Sequence, residues 1–157
     1  MRAAFFSRYN RAMCFMLYVG TENPLPRRHW VQEAPDLSIE PLDEHDAPIK
    51  LLFKKPEVQY VGSTSNCGCD FPYLMYQNGG WPIEGAASDE ERLDSDRFHR
   101  EALYKLLRAT DEDTVEIYGE WAGDHAAKPR VQEDISLDRI LDSDFYFKEQ
   151  GFLRVKL

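Results

Sequence analysis

Helical periodicity occupies one long stretch of this chain, and strand-length apolar runs occupy most of the rest. That distribution restricts the fold more than any single motif. Phe98, Ala102, Leu103, Leu106 and Leu107 fall on one stripe at helical spacing. Ahead of them, Ser88-Asp-Glu-Glu91 matches a capping box, in which the serine oxygen and the glutamate carboxylate satisfy backbone donors that the first turn leaves free. The pattern predicts a main helix over about 88–109, with Asp94 or Ser95 as alternative starts, ending before the acidic turn Asp111-Glu-Asp113. A short second helix over about 136–142 would carry Leu137, Ile140 and Leu141, with Ser136 as its cap.

The remaining segments read as strands and turns. Cys14 to Gly20 is apolar and β-prone, as expected of a buried strand. Trp30-Val31 and Leu37 to Leu42 are shorter candidates, the second cut by Pro41. Val58 to Ser63 is another. Thr114 to Trp121 alternates most cleanly, with Val115, Ile117 and Trp121 on one face and Glu116, Tyr118 and Glu120 on the other. That alternation predicts a half-buried antiparallel strand. Phe145 to Phe147 and Phe152 to Leu157 flank Glu149-Gln-Gly151, which reads as a hairpin. Strands outnumber helices without regular alternation, so an α+β fold built on a mainly antiparallel sheet is expected. Ser63 to Ala87 is rich in turn signals, among them Phe71-Pro72 and Asn78-Gly-Gly-Trp-Pro82, and reads as one long irregular segment. Such segments commonly carry function.

The length of 157 residues suits one domain with a core of its own. Residues 1–12 differ in composition from the rest of the chain, with Arg2, Arg8 and Arg11 and no acid. They read as an extension ahead of a natural start at Met13, as a targeting presequence, or as a short packed helix. The first reading is preferred, which makes residues 13–157 a single α+β domain.

The formal net charge of −9 sets an acidic surface against phosphate backbones and anionic membranes. Nucleic acid and membrane are therefore not expected as partners; the charge suits solubility alone, and a basic protein is the partner class it would fit. No apolar run approaches bilayer length, and Cys14 to Val19 is too short for a secretory signal. A cytoplasmic protein with reduced thiols or metal ligands fits the odd cysteine count.

The chemistry worth following lies in Cys14, Cys67 and Cys69. Cys67-Gly68-Cys69 brings two sulfurs to one ion only through a tight turn, which Gly68 allows because it carries no Cβ penalty at unusual dihedrals. If the strand bearing Cys14 pairs beside Val58 to Ser63, the three thiolates converge into most of a tetrahedral zinc site. Asp70, His29, His45, His99 and His125 are candidates for a fourth ligand, and the residues do not choose among them. Two other readings stay open. Cys14 can be read as a small buried hydrophobe with the other two cysteines in a loop, and the three can also be read as a thiol enzyme or redox site. An acidic interaction or immunity-type module binding a basic partner is a further alternative that needs no cysteine.

Met13-Cys14, Leu17-Tyr18, the loop from Pro24 to Pro26, and Val58 to Ser63 leading into Cys67-Gly68-Cys69 resemble a small family of uncharacterised bacterial proteins. The resemblance covers most of the chain after Met13, implies that the cysteines act as a set, and brings no activity with it. The Met13-Cys14 opening is only superficially similar to class II glutamine amidotransferases and the SOS-response-associated peptidase-like family, because both place glycine after the cysteine and Phe15 follows here.

Other candidates read as structural. His45, between Asp43, Glu44 and Asp46, suits a solvated turn, and His99 suits a helix surface. Glu116 and Glu120 share a strand face, as a carboxylate pair or simply as exposed strand residues do.

Overall fold

The computed structural model describes residues 14–75, 81–82, 89–123 and 128–157. Residues 1–12, with the arginine-rich segment, lie outside these, as does Ser88 of the capping box.

Nine strands and one α-helix are described, in the order β1 (Phe15–Thr21), β2 (Ser38–Pro41), β3 (Glu57–Gly62), β4 (Tyr73–Met75), β5 (Trp81–Pro82), α1 (Asp89–Arg108), β6 (Thr114–Trp121), β7 (Val131–Ser136), β8 (Phe147–Lys148) and β9 (Gly151–Lys156). Single 3-10 turns cover Ala47–Leu52, Gly68–Asp70 and Leu137–Leu141. Six strands form one sheet in the order β2-β3-β1-β6-β9-β7, antiparallel throughout except between β9 and β7. Three short strands form a second sheet, β5-β4-β8. The fold is α+β and mainly antiparallel.

Side chains alternate across a strand, so β1 serves two cores at once. Phe15, Leu17 and Val19 join Val115, Ile117, Leu103, Leu107, Leu137 and Ile140 in the larger core, under α1. Met16 and Tyr18 join Tyr118, Val58 and Ile49 on the opposite face, under the turn Ala47–Leu52. The helix stripe packs as expected at Leu103 and Leu107, both fully buried, while Phe98 is about half exposed.

Several sequence expectations change, among them the irregular reading of 63–87, which contains β4 and β5, and the Trp30-Val31 strand, which is absent among the described residues. Strand β6 is not half-buried: it lies between β1 and β9 with both faces covered, and Glu116 and Glu120 are buried beside Tyr118. The short second helix is the 3-10 turn Leu137–Leu141, and Ser136 occupies its cap position without a side-chain cap hydrogen bond. The reversal at Glu149–Gln150 exists, with Gln150 at a φ of 54°, but it does not join a hairpin. Instead β8 pairs with β4 in the small sheet, while β9 pairs with β6 and β7 in the large one.

Candidate metal centre

The neighbour relation on which convergence of the cysteines depends is present. Strand β1 pairs antiparallel with β3, Leu17 opposite Val61, so the start of β1 lies beside the chain leaving β3. Cys14 sits at that start, held by its carbonyl, which accepts the Ala122 N–H at 2.9 Å. Cys67 and Cys69 lie in the segment after β3. The three sulfur atoms are within 4.8 Å of one another, close enough to bind one metal ion. Four thiolates arranged around zinc at about 2.3 Å would stand about 3.8 Å apart, a separation of the same scale.

The segment from Ser63 to Phe71 is irregular but tightly bonded. Asn66 takes the left-handed conformation, φ 61°, and turns the chain back so that the Ser63 N–H reaches the Cys67 carbonyl at 2.7 Å. The Ser63 hydroxyl donates to the Asp70 carboxylate at 2.6 Å. Cys67 then opens the 3-10 turn Gly68–Asp70, and its sulfur accepts the Cys69 N–H at 3.4 Å. Gly68 does not serve through unusual dihedrals. It is needed because a Cβ there would stand 2.3 Å from the Phe15 carbonyl oxygen, so only glycine lets the turn lie on β1.

Two side chains distant in sequence pin this segment. The Trp30 indole N–H donates to the Thr64 carbonyl at 2.7 Å, although Trp30 lies outside any strand. His99 is buried, against the expectation of a surface residue. Its Nδ1 lies 2.7 Å from the Ser95 carbonyl, which only a protonated nitrogen can approach as a hydrogen-bonding partner. Nε2 lies on the other side, 3.4 Å from the Thr64 N–H, so α1 holds the segment through the imidazole ring.

None of the three cysteines is in a disulfide, and all are half-buried. The hydrogen bond with Cys69 and then burial push the Cys67 thiol well up, while the same hydrogen bond from Cys67 holds Cys69 below its ordinary value. The Phe15 backbone bonds the Cys69 sulfur and acts in the same direction. Cys69 therefore ionises before Cys67. Tyr73 lies beside the cluster, its phenol pushed up by burial and then by the charge of the three cysteines. Its ring stacks on Phe15 at 4.3 Å and meets Trp121 edge-on at 5.6 Å, which gives the centre an aromatic flank.

None of the fourth-ligand candidates among the described residues joins the cluster. Asp70 is bonded to Ser63, His99 is engaged at both ring nitrogens, and His29 Nδ1 pairs with Glu40 at 2.5 Å. His45 is not part of the cluster either, and His125 lies outside the described residues. Glu116 is buried, and one of its oxygens accepts the N–H groups of both Lys54 and Lys55, at 2.9 and 3.0 Å, which fixes the chain before β3.

Sequence reasoning missed the aromatic flank and the helix anchor. Phe15, Tyr73, Trp121 and His99 look like ordinary core or surface residues until the strands are ordered. No helix among the described residues is long and apolar enough to cross a membrane. No known protein family, curated protein or solved structure matches the chain.

Proposed function

We propose that this chain is a metal-binding protein in which the thiolates of Cys14, Cys67 and Cys69 hold one zinc ion and clamp the start of β1 to the segment after β3. The observation that carries this reading is the meeting of three sulfurs from two segments far apart in sequence, within 4.8 Å. An all-sulfur donor set selects zinc or another thiophilic ion over magnesium or calcium. The N–H groups that bond the Cys67 and Cys69 sulfurs are the outer partners that orient thiolate ligands.

Native mass spectrometry of the full chain, before and after chelator, tests the reading. One zinc per chain is expected, removed by chelator and not retained by Cys67→Ser. A mass equal to the bare polypeptide after zinc loading of the wild type would end it.

A second reading rests on Cys69, whose thiolate is favoured by the hydrogen bond from Cys67. A thiol enzyme or redox protein would use that sulfur as its nucleophile. In metal-free protein, Cys69 should then be alkylated much faster than Cys14 and Cys67. Equal rates at the three positions would count against it.

A further inference from the structure

We propose that the ion held by the three cysteines keeps its fourth coordination position open and takes a low-molecular-mass thiol there, as thiolate. This inference rests on the zinc reading of the same three sulfurs.

Three observations lead to it. Zinc bound by thiolates is four-coordinate, and a site with three protein ligands leaves one position for an exchangeable ligand. Among the described residues the cluster contains the three sulfurs and no carboxylate or imidazole. Donors that sequence reasoning placed nearby are committed elsewhere: Asp70 accepts the Ser63 hydroxyl, and His99 is bonded to Ser95 and Thr64. The cysteines are half-buried, so the cluster is reachable from solvent.

Chemistry selects the class of ligand. Three thiolates already outweigh the charge of a divalent ion, and such sulfur-rich coordination makes the ion a weak acid toward water. A soft donor suits it better than an oxygen ligand. Binding is a simple exchange: the sulfur–metal bond forms, the S–H bond breaks, and its proton leaves to solvent.

Cobalt(II) gives the test, because its absorption reports both coordination number and thiolate count. The full chain is loaded with cobalt in a phosphine reductant and titrated with 2-mercaptoethanol. We expect a tetrahedral spectrum to sharpen as thiol is added, with the sulfur-to-cobalt charge-transfer band rising by about a third, as the count goes from three thiolates to four. A spectrum that is unchanged by excess thiol overturns the inference and leaves the metal reading intact. So does a thiol-free spectrum that is already four-coordinate and collapses in His125→Ala, which would give the fourth position to that histidine. Failure of cobalt and zinc to bind at all overturns both.

Discussion

Gly68 lies so close to Phe15 that a Cβ on the glycine would stand 2.3 Å from the phenylalanine carbonyl oxygen. That approach is what sets Cys67 and Cys69 beside Cys14. The turn rests on the β1 backbone, and the neighbour that would have to yield is main chain in the middle of a six-stranded sheet.

Gly68→Ala should therefore cost about 1–3 kcal/mol of stability, the range for overpacking a rigid site. It should also weaken zinc binding, because the turn must lift from β1 and carry two sulfurs with it. Urea denaturation with zinc and with chelator measures both effects. Zinc-dependent stabilisation equal to that of the wild type would show that the Gly68–Phe15 contact does not position the cysteines.

Arg100 joins α1 to the segment before β8. Its buried guanidinium donates to the carbonyls of Phe145 and Ser143 and lies over the Tyr146 ring at 5.2 Å. Lysine offers neither the planar fork nor the ring stacking, so Arg100→Lys should lose about 1–3 kcal/mol through a carbonyl left without its donor. A loss smaller than a few tenths of a kcal/mol, measured by the same denaturation, would contradict this account of the helix anchor.

Asp96, on the same helix, has its carboxyl pushed up by burial, with the Arg100 charge opposing. A carboxyl whose folded pKa is raised favours the native state when protonated. That contribution is present below the unfolded value of about 3.9 and is lost as pH rises through the folded value. Asp96→Asn should then be more stable than the wild type near neutral pH, and its advantage should shrink as pH falls toward 4. A variant less stable at pH 7 would mean that the Arg100 interaction outweighs burial.

Much of this architecture could be read from local pattern. Strand β1 is marked by an apolar β-prone run, helix α1 and strand β6 by their periodicity, and their order along the chain implies an α+β sheet. The depth of β6 could not be read, because the covering of its second face depends on the turn Ala47–Leu52 and on Tyr18, which are distant in sequence. Glu116 and Glu120 look solvent-facing for the same reason. A buried carboxylate that satisfies the N–H groups of Lys54 and Lys55 has the same local sequence as an exposed one.

The candidate centre divides in the same way. That Cys14, Cys67 and Cys69 form a set was legible, conditional on β1 lying beside β3, and that pairing is found. The role of Gly68 was legible as a need for glycine, but for another reason: its requirement is clearance from Phe15, a long-range contact that residue order does not reveal. His99 and Trp30 were invisible as supports, since each acts on Thr64 across more than thirty residues.

X-ray absorption at the zinc edge tests the central claim most directly, on the full chain loaded with one equivalent of zinc in a phosphine reductant. The account predicts a shell of three sulfurs at about 2.3 Å, falling to two in Cys14→Ser, since the ion is held jointly by β1 and the turn after β3. A shell of nitrogen and oxygen, or a sulfur count that Cys14→Ser leaves unchanged, would contradict it.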